Sequence, residues 1–356
     1  MEQERLKQVI SILEKKELDA IVVSNGYNMR YLSGFSGATG YLYLSRNKKI
    51  VMTDSRYTIQ AKEETEGFDI WQLSGKYTDL LAQVISEENA IRIGIEGNDF
   101  LCLDFEKWRR EFPSVQWTML DQELSDLRRI KTPEEIKKIA CAEEIGDKAF
   151  TKILDIIKPG VTELEVASYL VFYMKQFGAE GLSFDTIVAS GINSSKPHAV
   201  PGRKKIEQGD FITMDFGCMY EGYCSDMTRT VVLGNASEEQ KKVYHTVLQA
   251  QREALDFIKA GYTGAEIDKV ARDIIYGAGY EKCFGHGLGH SVGLFIHENP
   301  RLSPKETNII LENMTETVEP GIYIENFGGV RIEDLVVVTK GGCQNLTHSP
   351  KELIEL

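Results

Sequence analysis

The chain has 356 residues, enough for two domains with separate cores, and its 27% charged and 42% hydrophobic residues are those of an ordinary globular protein. A net charge of −13 excludes a phosphate-backbone partner, because nucleic-acid binders need clustered Lys and Arg to displace counterions. No run approaches the about 18 apolar residues of a membrane span, the first twenty residues read as amphipathic helix rather than signal segment, and the six cysteines form no C-x-x-C pair; a cytoplasmic protein with neither nucleic-acid nor membrane partner is expected.

Residues 1 to about 120 alternate helix and strand signals. Leu6, Val9, Ile10 and Leu13 recur at helical spacing, and Asp19 to Ser24 (DAIVVS) reads as a buried strand. A hairpin follows, with arms at 41–44 and 50–53 around Arg46-Asn47-Lys48. Further candidates run to Val115–Thr118, giving an α/β domain without a catalytic cluster. The polar stretch 121–131 reads as a linker, so domains of 1–125 and 126–356 are expected. Thr132, Pro133 and Glu135 then form a helix-start signal.

The second domain repeats itself. Ile157-Lys158-Pro159-Gly160-Val161-Thr162-Glu163-Leu164-Glu165-Val166 returns 101 positions later as Ile258-Lys259-Ala260-Gly261-Tyr262-Thr263-Gly264-Ala265-Glu266-Ile267, and residues 132–138 have a loose counterpart at 237–242. Each copy ends one helix at a Gly and starts another at a Thr with Glu three residues on. This predicts a duplicated half-domain with a cleft between the halves.

Four acids stand in strand patterns. Asp215 lies inside FITMDFG and Asp226 opens SDMTRTVVL, with a turn at Tyr220-Glu221-Gly222 flanked by Cys218 and Cys224, read as free buried thiols. A hairpin with an even loop puts both carboxylates on one face; a one-residue bulge would reverse that. Glu319 precedes Pro320-Gly321, read as a turn, and Glu333 interrupts the apolar strand from Gly329 to Val338. Any one of these acids alone also reads as an edge-strand carboxylate or a salt-bridge partner, Arg331 being beside Glu333. Together, inside apolar strands, they cost several kcal/mol per ion unless a cation joins them.

The stretch 285–298, GHGLGHSVGLFIHE, holds His286, His290 and His297, half of the six histidines. Gly287 and Gly289 disfavour the helix that an H-E-x-x-H zinc site needs, so a loop or strand entry is expected there. Asp215, Asp226, Glu319 and Glu333 with a neutral His290 balance two divalent cations. A carboxylate-rich set without thiolate suits Mn, Co or Zn better than Cu. Two such ions activate a water between them and polarise a carbonyl, as amide hydrolysis requires.

Five strings in order, MDFG with Asp215, SDMTRT with Asp226, HGLGH with His290, EPG with Glu319 and RIED with Glu333, resemble the pita-bread metallopeptidases, in the branch of Xaa-Pro aminopeptidases and Xaa-Pro dipeptidases (prolidases). The resemblance implies an α+β protein: a creatinase-like α/β N-terminal domain, then a duplicated pita-bread catalytic domain with a curved antiparallel sheet. It implies two divalent metal ions, Mn first, bridged by Asp226 and Glu333, with Asp215 on one and His290 and Glu319 on the other. Glu319 also shuttles a proton, His198 in KPHAV and His297 bind substrate and steady the oxyanion, and Tyr323 and Arg331 orient ligands. His286 matches no ligand position and is read as structural; His245 and His348 carry no signal.

The implied activity is hydrolysis of the bond preceding proline in Xaa-Pro peptides. Arg301 resembles a prolidase residue that binds a dipeptide's carboxylate, whereas DSRYTIQA (54–61) resembles the DGRY-x-x-QA stretch of aminopeptidase P proteins, which leaves peptide length open with the aminopeptidase slightly ahead. A metal-free creatinase-like amidinohydrolase or a non-catalytic peptide-binding module of the same fold should lack the ligands. A homodimer is implied as well.

Overall fold

The computed structural model describes residues 2–356, in two compact units that meet at Arg128/Arg129. In the first, α1 (Glu2–Lys15) buries Val9 and Leu13, as its stripe predicts. There follow β1 (Ala20–Val23), α2 (Gly26–Ser33), β2 (Tyr41–Ser45), β3 (Lys49–Thr53), α3 (Thr58–Glu64), β4 (Asp69–Gln72), α4 (Tyr77–Glu88), β5 (Arg92–Glu96), α5 (Cys102–Glu111) and β6 (Gln116–Leu120). One six-stranded sheet has the order β4-β3-β2-β1-β5-β6, antiparallel at β1–β2 and in the expected β2–β3 hairpin, and parallel elsewhere. Among the described residues no helix is long and apolar enough to cross a membrane.

The stretch 121–131 is folded rather than an open linker. Ser125–Arg128 forms a 3-10 turn, and Arg128 and Lys131 are buried. Their cations find polar partners: Arg128 Nη1 donates to Asn28 Oδ1, and Lys131 Nζ donates to Ser291 Oγ and to Glu298 Oε2, each at 3.1 Å.

The second unit is built twice. In the first half, α6 (Pro133–Ile153) and α7 (Glu163–Gln176) precede β7 (Gly181–Leu182), β8 (Ile187–Ser190), β9 (Phe211–Phe216), β10 (Cys218–Tyr220), β11 (Tyr223–Cys224) and β12 (Met227–Val232). In the second, α8 (Glu238–Phe257) and α9 (Gly264–Gly277) precede β13 (Gly289–Ser291), β14 (Glu298–Leu302), β15 (Thr315–Val318), β16 (Gly321–Ile324), β17 (Gly328–Arg331), β18 (Asp334–Val338) and β19 (Cys343–Asn345). All four long helices open on capping boxes, at Thr132/Glu135, Thr162/Glu165, Ser237/Gln240 and Thr263/Glu266.

The sequence repeat is a structural one. Gly160 N donates to Ile206 O and Ile206 N to Val161 O; in the second copy Gly261 N donates to Ile310 O and Ile310 N to Tyr262 O. Both glycines have positive φ, +91° and +103°, as only Gly adopts without strain, but they sit in turns beyond the helices expected to end at them, since α6 stops at Ile153 and α8 at Phe257. The sheets match too, β12-β9-β8 against β18-β15-β13, each backed by its own apolar core, and the bridge Thr228↔Glu333 joins them.

Two long hairpins carry the acids. From Asp215↔Thr228 through Met219↔Cys224 the first keeps one register, free of a bulge, to a two-residue turn at Glu221-Gly222 with φ of +46° and +82°. In the second, the chain does not reverse at Pro320-Gly321: β15 continues into β16, and β17 into β18, in the register set by Val318↔Asp334 and Gly321↔Arg331. The strand expected to run unbroken from Gly329 to Val338 is divided at Ile332-Glu333. Pro320 has no N–H to give the ladder, and Glu319 N and Glu333 N donate outward, to Leu288 O and Thr228 O.

Candidate metal centre

The four acids and His290 line one cavity of about 520 Å³, with His198, His286, His297, Arg301, Arg331, Phe184, Asp185 and Ile187. Ligand atoms of Asp226, His290 and Glu333 lie within 4.8 Å of one another. Asp226, His290 and Glu333 are 4%, 7% and 2% exposed, and Asp215 and Glu319 are partly buried.

His290 sits in a strand entry, as its glycines suggest. A Cβ on Gly289 would fall 2.0 Å from Thr317 O, so only glycine lets β13 come this close to β15. The His290 Nδ1 donates to Ser291 O at 3.2 Å, which leaves the Nε2 lone pair free between Asp226 Oδ2 at 3.4 Å and Glu319 Oε1 at 3.5 Å. Burial, and then His297, depress its pKa to about 3, so the ring is neutral.

The carboxylates repel one another. Burial first, and then Glu333, Asp215 and Glu319, hold Asp226 well above the usual carboxylate range. Burial followed by Glu319 and Asp215 does the same to Glu333, and burial lifts Glu319 to about 7 despite Arg331. Asp215 Oδ1 is buried without a hydrogen-bond partner among the described residues. An oxygen-rich set with one ready imidazole lone pair, one orphaned oxygen and acids that favour protons for want of a cation fits divalent metal ions.

Arg331 organises this wall. Its Nη2 donates to Asp215 Oδ2 at 2.6 Å, and its Nε donates to Thr228 Oγ1 at 3.0 Å, whose hydroxyl donates to Glu333 Oε2 at 2.6 Å. Its Nη1 donates to Tyr323 Oη at 2.8 Å, the Tyr323 hydroxyl donates to His286 Nε2 at 2.9 Å, and His286 Nδ1 donates to Gly287 O at 2.8 Å. Burial lowers His286 to about 4, which keeps it the neutral acceptor this chain needs. Burial opposes charge on Arg331, yet Tyr323, Asp215 and Glu333 raise its pKa well above the ordinary value.

His297 packs its ring 4.6 Å from that of His290, and burial lowers its pKa; His198 is exposed on the cavity wall. Arg301 faces His290 across β13–β14, and burial lowers its pKa although Glu319 pulls the other way.

Several residues carried no separate signal. Glu143 Oε2 accepts from Asp226 N at 3.2 Å and its Oε1 accepts from Thr347 Oγ1 at 2.6 Å; burial pushes its pKa to about 8. The Ile139–Ala142–Ile145–Ala149 stripe of α6 points to its burial, since Glu143 falls on that face. Phe184, Asp185 and Ile187 reach the cavity only through pairing of distant strands, and Thr228 is buried behind it against Glu333.

Residues 137–340 match Metallopeptidase family M24, and residues 5–130 match the Creatinase/Prolidase N-terminal domain. The chain is 38% identical to the Xaa-Pro dipeptidase of Pyrococcus horikoshii over 99% of each protein. Among solved structures it resembles a Xaa-Pro dipeptidase from Bacillus anthracis, at 40% identity and a TM-score of 0.98 over 100% of both chains. It also resembles the X-Pro aminopeptidase from Thermotoga maritima, at 40% identity and a TM-score of 0.90 over 96% of this chain and 98% of that one. A creatinase-type first unit, a duplicated second unit and a carboxylate-rich metal cluster in the cavity together place this chain in metallopeptidase family M24.

Proposed function

We propose that this chain is a dinuclear metallopeptidase that cleaves the bond before proline in Xaa-Pro substrates. The observation that carries this reading is the convergence of Asp226, His290 and Glu333, with Asp215 and Glu319, on one cavity that also presents His198, His297 and Arg301. The activities named for the similar proteins support the substrate class.

In this reading Asp226 and Glu333 would be shared by two divalent cations, with Asp215 serving one and His290 and Glu319 the other. Bound there, the cations supply carbonyl polarisation and activation of water at neutral pH. Glu319 takes a proton on its carboxylate and delivers it to the departing proline nitrogen. His198 and His297 donate to the carbonyl oxygen as negative charge develops. Arg331 holds Asp215 directly and Glu333 through Thr228, and the Tyr323 hydroxyl accepts from Arg331 and steadies it. The donor set suits Mn, and Co and Zn share it.

Arg301 in the cavity wall favours a dipeptide, because its planar guanidinium pairs bidentately with a free carboxylate. The competing cue at 54–61 lies in the first unit, where Asp54 is taken up by Arg56. Six free cysteines suit a reducing cytoplasm. The homodimer rests on the family resemblance and is checked by light scattering.

The test is turnover by manganese-loaded protein of a Xaa-Pro dipeptide, an Xaa-Pro-containing tripeptide and a peptide without proline. Cleavage of the dipeptide alone is expected. Cleavage of the proline-free peptide at the same rate would end the Xaa-Pro assignment.

A further inference from the structure

Asp185 is an uncommitted acid in the cavity wall. It is exposed, it lines the cavity beside Phe184 and Ile187, and no hydrogen bond or ion pair among the described residues involves its carboxylate. Its position follows from an irregularity in the edge chain. Leu182 pairs with Cys218 and Ile187 with Asp215, so four residues, Ser183 to Thr186, span the distance covered by Phe216 and Gly217 on β9. Such a two-residue excess bulges, and bulges beside active sites re-aim side chains.

Across the sheet the order is β12-β9-β8, with Asp226 at the start of β12 and Asp185 just before β8. Asp185 is therefore two strand spacings, ~10 Å, from the strand with the bridging acid. Between them Gly217 adds no side chain. A Cβ there would fall 2.0 Å from Ser225 O and 3.1 Å from Phe184 Cε1, so only glycine allows this close approach of the two chains beside Phe184.

We propose that Asp185 selects a cationic side chain, that of lysine, at the substrate residue before proline. This rests on the Xaa-Pro reading above. Arg301 takes the peptide's carboxylate on the β13–β14 side, which sends the Xaa residue toward the β8–β9 side, over Phe184 and Ile187. The α-ammonium stays about 2.5 Å from the scissile carbon, two bonds away, and so remains near the reacting centre. A lysine ammonium extends roughly 6 Å from its Cα on a four-carbon stem, which carries it along the wall of Phe184 and Ile187 toward Asp185. An exposed pair of this kind changes affinity by a few-fold at most.

The experiment compares kcat/KM for Lys-Pro and Leu-Pro in manganese-loaded wild type, Asp185→Asn and Asp185→Lys, with calorimetric binding of the two reduced-amide analogues as a readout independent of turnover. The Lys-Pro/Leu-Pro ratio is expected to fall about fivefold in Asp185→Asn, chiefly through KM, and Asp185→Lys is expected to favour Glu-Pro. Raising the salt should erode the wild-type preference and leave that of Asp185→Asn alone. An unchanged ratio with active enzyme would overturn the Asp185 assignment; equal losses on both dipeptides would overturn it as well, moving the carboxylate to the α-ammonium. Absence of turnover of either dipeptide by wild type would instead overturn the peptidase reading.

Discussion

Glu319 stands opposite Glu333 on the second hairpin, one step inside Val318↔Asp334 and two steps from Gly321↔Arg331. Like charges facing each other on a sheet destabilise it. Glu333→Gln removes one of them, so the metal-free variant is expected to be at least as stable as wild type. It should bind less manganese and lose both activity and the stabilisation metal gives, about 2.7 kcal/mol when free metal is a hundred times Kd. Elemental analysis and thermal unfolding with and without metal check this; full metal content with full turnover would contradict the ligand set.

Arg331 is the least replaceable residue around the acids. Arg331→Met strips Asp215 of its buried partner and leaves Thr228 and Tyr323 without their donor. A loss of about 3–5 kcal/mol is expected, as when one member of a buried ion pair is removed. Urea unfolding of the metal-free protein measures it. A loss under about 1 kcal/mol would mean that the pair is solvated.

A second buried pair ties down the carboxyl-terminal segment. Arg229 Nη2 donates to Asp334 Oδ1 and Ser349 O, both at 2.8 Å, and Lys351 Nζ donates to Asp334 Oδ2 at 2.6 Å. Arg229→Met is expected to cost about 3–5 kcal/mol and to raise hydrogen exchange in residues 346–356 first. Uniform exchange across the second unit would refute that order.

Glu316 makes stability depend on pH. It is fully buried, and neither carboxylate oxygen has a hydrogen-bond partner among the described residues. Burial holds it well above its ordinary value of 4.5, against the pull of Lys131, Arg129 and Arg301. A value raised in the folded state contributes stability that is complete below the unfolded value and is lost as pH rises through the folded one. Glu316→Gln, which cannot ionise, should therefore gain stability over wild type as pH rises from about 5 to about 9. Denaturant midpoints at both pH values decide it; a constant difference would place Glu316 in contact with water.

Much of the second unit was legible because caps and strand patterns are local. The four capping boxes follow from a few adjacent residues, whereas Gly160 and Gly261 mark turns past the helix ends rather than the ends themselves. The face shared by Asp215 and Asp226 followed from period two and an even turn, and Glu221-Gly222 supplies that turn. Pro320-Gly321 misled, because a Pro-Gly pair signals reversal only when the ladder ends there; here the hairpin runs on, and the missing N–H merely interrupts it. Glu333 looked like an acid inside a strand because the break beside it comes from a bond to Thr228, 105 residues earlier. Lys131 was read as linker for the same reason: Ser291 and Glu298, which bury it, are 160 and 167 positions away.

The doubled architecture divides the proposed donor set between its two halves. Asp215 and Asp226 belong to the first copy, and His290, Glu319 and Glu333 to the second, so neither copy alone assembles the donor set. A half-length ancestor would have needed a twin to hold both ions, at a strength that rose and fell with its abundance. Fusion into one polypeptide makes that encounter intramolecular and frees it from dilution. Aspartates stand on one side and glutamates with an imidazole on the other, which gives the doubled cleft a direction along which a peptide can lie.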